Sequence, residues 1–339
     1  MILIRGDFGE GGGSIVRLSV ALAATLKKPV KITKIRLGRK NPGLREQHLK
    51  GVRAVAELCN GTLNGDKLGS TEVEFYPGDS IKKKVKVKVE TAGSIGLVLQ
   101  SLMIPCFFAK HDVEIDIQGG GTIGLHAPNL LYTINVLLPI LAKMGLNAKI
   151  EIKKFGFYPK GGGNVKAVIK ASNIKNLDLS ERGKLKEING VSVASDFLKK
   201  ANVAERTTNE AKKLLVNLNC PIKIKNGYVD SLCPGSGLIL YAVFDNCIIG
   251  GDAIGERGKR AELVGNEAAN NLIKEINSKA TVDEYLSDQL IPYMALAKGK
   301  SVIKVRELTK HTETNMWLVK QFLDVDFEIK GDEIACFPK

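Results

Sequence analysis

The run Gly9-Glu10-Gly11-Gly12-Gly13-Ser14, with Arg17 just beyond it, is where this chain first shows residues able to do chemistry. Met1-Ile2-Leu3-Ile4 before it reads as a short apolar strand, and Ile15 to Leu26 after it as an apolar helix with Ser14 at its N-cap. A glycine-rich turn opening a helix exposes backbone N–H groups and the positive helix end, which suits an anion. Arg17 puts a cation in the first helical turn, against the macrodipole, and calls for something negative nearby. Glu10 cannot hold an anion, but its carboxylate suits a divalent metal that itself grips a phosphate. A tight β–α turn with a solvated Arg17 fits the same residues, so the motif alone leaves both readings open.

Five further sites carry polar groups with chemical potential. Arg36-Leu37-Gly38-Arg39-Lys40-Asn41-Pro42-Gly43-Leu44-Arg45 follows the strand Val30 to Ile35 and has the makings of a phosphate clamp or of a solvated basic loop. His48 stands four residues from both Leu44 and Val52, at the rim of the next helix's buried face, where a packed, hydrogen-bonded imidazole is the default. Gln100 lies in the apolar run Ile95 to Ile104 and needs a partner, because an unpaired buried amide costs roughly 1–3 kcal/mol. Tyr285-Leu286-Ser287-Asp288-Gln289 opens a late helix, offering a stacking face and polar atoms for a base or ribose. His311 precedes a predicted helix over Asn315 to Phe322. A helix N-terminus disfavours the charged imidazolium, so a neutral ring with a free lone pair is expected there: a nucleophile toward phosphorus, or a helix cap.

The elements that must position these groups belong to a large soluble chain. Its 339 residues predict a sizeable core and two domains. The excess of 50 Lys and Arg over 36 Asp and Glu, a net charge of +14, points to a polyanionic partner such as nucleic acid, although runs like Lys82-Lys83-Lys84 also serve as plain solvated surface. The six cysteines form no C-x-x-C pair and no zinc spacing; they read as reduced core thiols of a cytoplasmic protein. No signal peptide is evident, and the longest apolar stretch, Ile95 to Ala109, is too short and too polar to span a bilayer, so no membrane role is expected.

Triple glycines at Gly11–Gly13, Gly119–Gly121 and Gly161–Gly163 predict copies of one β/α unit, each with a glycine turn at one end. Gly119-x-Gly121-x-x-Gly124 has the form of a dinucleotide fingerprint, but Lys143 and Met144 stand where its acidic residue belongs. From about residue 182 the pattern changes: a strand over Ile188 to Ala194, a helix over Phe197 to Leu218, strands over Pro221 to Val229 and Leu238 to Ile249, and a helix over Arg260 to Ile276. This β-α-β-β-α set reads as a smaller inserted domain, 182–278, within a layered α/β domain of residues 1–181 and 279–339.

Taken in order along the whole chain, these blocks resemble the RNA 3′-terminal phosphate cyclases: Gly9 to Arg17, Arg36-x-Gly38-Arg39 with Gln47-His48, Gln100, Tyr158 to Gly163, Tyr285 to Gln289, and His311-Thr312-x-Thr314-Asn315. The resemblance implies three βαβαββ-type units plus an inserted domain. It implies ATP-dependent conversion of an RNA 3′-phosphate to a 2′,3′-cyclic phosphate, with His311 as the nucleophile that becomes histidyl-AMP. AMP then passes to the RNA 3′-phosphate, and the neighbouring 2′-OH closes the ring. Under it Glu10 would hold a divalent metal, Mg²⁺ or Mn²⁺; Arg36, Arg39 and His48 would meet the substrate phosphate. Arg17, Gln100, Pro128 and Tyr285-Leu286-Ser287-Asp288-Gln289 would meet ATP, with adenine between Tyr285 and Pro128. The expected partner is RNA with a 3′-phosphate end, and the oligomeric state is left open. Cyclase-like ribosome-biogenesis proteins, without the nucleophile and without catalysis, are the alternative; an enolpyruvyl-transferase-like enzyme and an RNA-binding scaffold are more distant ones.

Overall fold

The computed structural model describes residues 1–124 and 127–339; Leu125 and His126, just ahead of Ala127-Pro128 in the sequence, lie outside the described residues. The first repeat is β1 (Ile2–Arg5), α1 (Gly13–Leu26), β2 (Val30–Thr33), α2 (Glu46–Cys59), β3 (Thr62–Asn64) and β4 (Val73–Tyr76). β1 and β2 are parallel, β4 is antiparallel to both β2 and β3, and the sheet order is β1-β2-β4-β3. Parallel neighbours need a crossover, which α1 supplies; antiparallel ones need only a turn.

The second repeat has the same plan: β5 (Lys84–Ser94), α3 (Ile95–Phe107), β6 (Val113–Gly121), α4 (Leu130–Tyr132), α5 (Leu138–Lys143), β7 (Ala148–Lys154) and β8 (Asn164–Ile169), ordered β5-β6-β8-β7. α4 and α5 are joined without a break by a π turn over Thr133–Leu137. Pro139, in the first turn of α5, lacks an N–H and crowds the carbonyl four residues back, which is the local cause of that wider turn. The third repeat starts with only two residues, β9 (Asp178–Leu179). It resumes after the insert with α8 (Glu284–Leu296), β14 (Ser301–Lys304), α9 (Lys310–Lys320), β15 (Val325–Lys330) and β16 (Glu333–Pro338), ordered β9-β14-β16-β15.

Between β9 and α8 the chain builds a fourth sheet from β10 (Leu185–Ser195), β11 (Ile222–Val229), β12 (Ser236–Phe244) and β13 (Ile248–Ile254), ordered β11-β10-β12-β13. α6 (Val203–Leu215) and α7 (Ala261–Asn277) pack together and against this sheet.

The architecture is layered α/β, with sheets outside and helices toward the middle. α1 shows why: Ile15 through Ala24 are buried without a break, so the helix has no solvent face. It packs on α2, α3 and α9 at once. Truncating a fully buried side chain there, such as Leu22, would cost about 2–5 kcal/mol.

Several expectations are corrected. The glycine triplets do not mark one repeat each: Gly119–Gly121 ends β6 and Gly161–Gly163 lies between β7 and β8, both in the second repeat, and the third repeat's opening strand has no glycine marker. The run Leu238 to Ile249 is two strands, because Asp245 and Asn246 turn the chain between β12 and β13. The helix predicted over Phe197 to Leu218 is interrupted at Asn202, in the left-handed region, leaving a 3₁₀ turn on either side of α6. Helix α1 begins at Gly13 with Gly12 as N-cap, so Ser14 does not cap it and its buried hydroxyl has no partner. Helix α9 starts at Lys310 rather than Asn315, capped by Thr309 through the N–H of Thr312, which puts His311 inside its first turn.

Candidate active site

A cleft of about 770 Å³ opens where the three repeats and the insert meet. It is lined from α1, α2, α3, α8 and α9, from residues at the start of the α4–α5 helix, and from β13 and α7 of the insert. That volume falls in the range of small-molecule sites.

His311 stands half-exposed, its Nδ1 3.8 Å from Glu10 Oε2 and 3.9 Å from Asp288 Oδ2. Neither distance is a hydrogen bond. Burial and then the cations Arg17 and Arg39 lower its pKa below the ordinary histidine value. The ring is therefore neutral at pH 7, and no hydrogen bond from the described residues fixes it.

Glu10 is placed by the glycine turn. Its N–H donates to Thr314 Oγ1 at 3.0 Å, and that hydroxyl donates to the Lys310 carbonyl at 2.6 Å, tying the turn to the His311 helix. A Cβ on Gly12 would collide with the Glu10 carboxyl, so only glycine lets the side chain fold back over the helix start. Arg39 pairs with that carboxylate and also donates to the Glu10 carbonyl at 3.0 Å. The buried Oε2 has no hydrogen-bond partner among the described residues.

Arg17 and Gln100 meet across α1 and α3, the guanidinium Nε donating to Gln100 Oε1 at 3.3 Å. This is the partner the buried amide required. Burial pushes Arg17 down to about 10 while Asp288 opposes the shift; it remains charged at neutral pH. His48 is buried, and its Nδ1 accepts the Arg45 N–H at 3.2 Å, so the ring proton sits on Nε2, against Gly13. Burial, then Arg17, Arg36 and Arg45, push its pKa to about 3, and any contact it makes with a phosphate is as a neutral donor. Arg36 is only partly available: Nη1 holds the carbonyls of Asn41 at 2.7 Å and Gly43 at 2.9 Å, stiffening the loop that presents Arg39.

The far end of the cleft differs in charge. Tyr285 is exposed, edge-on to Tyr132 with centroids 6.1 Å apart, and Pro128 lines the same cleft. Asp252 and Glu267 of the insert and Glu284 of α8 line it there. Burial, then Asp283 and Glu267, push Asp252 up to about 6; burial, opposed by Arg17, pushes Asp288 up to about 7. The cleft is thus basic toward Arg17, Arg36, Arg39 and Arg45 and acidic around Tyr285.

The five-residue run is split by its helix. Tyr285, Asp288 and Gln289 line the cleft, but Leu286 is fully buried and Ser287 bonds to the Glu284 carbonyl and Thr312 Oγ1, so neither lines it. The amide of Gln289 donates to the Tyr285 carbonyl. Arg45, Asp252, Lys259 and Asn271 line the cleft without having been singled out as site residues. The insert residues carry no sequence signal; Asp283, an acidic residue just ahead of α8, carried a readable one as an N-cap.

A family model described as RNA 3′-terminal phosphate cyclase matches residues 8–329. An RNA 3′-terminal phosphate cyclase of Pyrococcus furiosus is 44% identical over 332 residues, covering 98% of this chain and 96% of the relative. One of Thermococcus gammatolerans is 45% identical over 331 residues, with 97% and 94% covered, and one of Methanosarcina barkeri is 42% identical over 334 residues, with 98% of each covered. A solved EPSP synthase from Acinetobacter baumannii aligns at 14% identity over 96% of this chain and 63% of its own, with a TM-score of 0.30, too distant to bear on fold or function. Matched along nearly its whole length by both the family model and these relatives, the chain belongs to the RNA 3′-terminal phosphate cyclase family.

Proposed function

We propose that this protein converts RNA 3′-phosphate ends to 2′,3′-cyclic phosphates at the expense of ATP, with His311 as the adenylylated residue. One observation carries the reading: a neutral imidazole, free of hydrogen bonds to the described residues, at the junction between a basic cleft end and an aromatic one. The triphosphate lies toward Arg17, Arg39 and the N-terminus of α1, and adenine lies between Tyr285 and Pro128. The Glu10 carboxylate, 3.8 Å from Nδ1, favours the ring proton there, leaving the Nε2 lone pair to attack. Attack on the α-phosphorus forms the N–P bond and breaks the bond to pyrophosphate.

The RNA 3′-phosphate then displaces the imidazole, and the 2′-OH attacks the activated phosphorus, losing its proton and releasing AMP. Adenylylation is needed because a phosphate monoester dianion is a poor electrophile without a good leaving group. Each step crowds anionic oxygens, which the arginines neutralise.

Glu10 fits a divalent cation, since its buried Oε2 has no hydrogen-bond partner among the described residues. No cluster of three metal-ligating side chains exists among the described residues, and Mg²⁺ takes few protein carboxylates when substrate phosphates supply the rest. A Mg²⁺ or Mn²⁺ ion there would withdraw charge from the phosphates. Residues 182–278 are read as an inserted domain within the catalytic domain 1–181 and 279–339.

Incubation with α-labelled ATP and Mg²⁺ tests the reading. Acid-labile label on the protein is expected; a wild type left unlabelled across Mg²⁺ and Mn²⁺ overturns the mechanism.

A further inference from the structure

The carboxylate of Asp283 is buried at the junction of three units. Oδ1 accepts the N–H groups of Tyr285 at 3.0 Å and Leu286 at 2.9 Å, capping α8 in the third repeat. The same oxygen accepts the Tyr132 hydroxyl at 2.6 Å, from the α4 helix of the second repeat. Oδ2 accepts the Gly250 N–H at 2.7 Å, from β13 of the insert. The insert reaches the same point through packing: a Cβ on Gly250 would collide with the Tyr132 ring. Tyr132 in turn presents its face or edge to Tyr285 at an interplanar angle of 87°.

We propose that Asp283 is a positioning residue that locks the insert to the nucleotide wall and sets the Tyr285 ring where it meets the base. This rests on the reading of Tyr285 as the base-stacking residue. Asp283 itself touches no substrate; it acts through the backbone of Tyr285 and through Tyr132. The insert is thereby part of the nucleotide pocket, holding one side of a joint whose other sides belong to two repeats.

The chemistry of the joint is asymmetric. All four partners are donors, so every one needs an acceptor. Asp283→Asn supplies one acceptor oxygen and one N–H₂. The amide keeps most bonds by leaving its oxygen on Tyr132, Tyr285 and Leu286, and its N–H₂ then faces the Gly250 N–H. The variant retains the α8 cap and loses the tether to the insert, with a donor set against a donor. Tyr132→Phe removes a single donor, keeps the ring, and serves if the asparagine variant does not fold.

Equilibrium binding of ATP and of inorganic tripolyphosphate, each to the full chain, separates base positioning from general damage. Tripolyphosphate reports on the basic end alone. Asp283→Asn should weaken ATP binding about tenfold through the displaced Tyr285 ring, while tripolyphosphate binding stays as in the wild type. Tyr132→Phe should shift ATP the same way by about threefold. The KM for ATP in adduct formation should rise with kcat unchanged. Unchanged ATP affinity in both variants overturns the proposal, as does an equal loss for ATP and tripolyphosphate. A wild type that binds ATP no better than tripolyphosphate removes the base-stacking reading beneath it, a failure visible before any variant is made.

Discussion

Two histidines stand in the first turn of corresponding helices in two copies of one unit, and they have become different chemical objects. His48 lies in the first turn of α2, the second helix of the first repeat; His311 lies in the first turn of α9, the second helix of the third. His48 is 3% exposed, its Nδ1 is taken by the Arg45 N–H, and three arginines together with burial hold its pKa near 3. His311 has a half-exposed side chain, no hydrogen bond to its ring from the described residues, and two carboxylates near Nδ1. Both rings are neutral at pH 7. Neutrality alone therefore does not make a nucleophile; access and an unspent nitrogen do.

The largest effect should come from exchanging which histidine is removed. His311→Ala should lose the adenylate adduct by at least about a thousandfold, because the bond-forming atom is gone. His48→Ala should keep adduct formation within about tenfold, since His48 has no path to the α-phosphorus. Quantified label per mole of protein decides it. If His48→Ala loses label as His311→Ala does, the two rings are not distinguished in the way their surroundings imply.

Next in size is the packing that confines His48. A Cβ on Gly13 would collide with the His48 imidazole. Gly13→Ala gains at most about 1 kcal/mol of helix propensity but incurs about 1–3 kcal/mol of overpacking. Its thermal midpoint should fall by a few degrees. Combining it with His48→Ala removes the colliding atoms, so the two changes should cost less together than their sum. Strict additivity in a double-mutant cycle would show that His48 is not held by the glycine turn.

Arg39→Ala should leave the fold intact and, of the two histidines, change the titration of His311 only. Arg39 lowers the His311 pKa directly and also occupies the Glu10 carboxylate. Removing it takes away a cation and frees an anion 3.8 Å from Nδ1, and both changes favour the imidazolium. The His311 ring titration followed by NMR should move to higher pH, and the acid limb of adduct formation should move with it. His48, walled off by Arg17, Arg36 and Arg45, should stay neutral throughout. A His311 titration that does not move would mean Arg39 is not shielding it.

Much of this site was legible in the sequence because its groups are local. The glycine turn, the Arg36 to Arg39 loop and the His311 block each announce themselves within a few residues. What was not legible depends on chain distance. Asp252, Lys259 and Asn271 reach the cleft only because the insert folds back from between β9 and α8. The third repeat was hidden because its first strand is two residues long and the helix it should precede begins more than a hundred residues later. The fate of Leu286 and Ser287 follows from helix geometry: a contiguous motif placed on a helix cannot present every residue to one cleft.

Asp288 gives the smallest effect and explains a feature of the comparison. With two carboxylates near Nδ1, His311 would be expected to hold its proton more tightly than a free histidine, yet its pKa is lowered. Asp288 resolves this, because burial pushes it up to about 7, so at pH 6 it is mostly uncharged and does not favour the imidazolium. The same shift has a sign for stability. Between the unfolded carboxyl value of 3.8 and about 7, the folded chain keeps a proton that the unfolded chain has released. Asp288 therefore makes stability fall as pH rises through that window, and the fall ends above it. Asp288→Asn does not titrate, so denaturation midpoints measured at pH 5 and pH 8 should diverge from wild type, with the variant gaining at pH 8. Parallel curves at the two pH values would mean that Asp288 is ionised alongside Glu10, and the lowered His311 pKa would then rest on burial and the arginines alone.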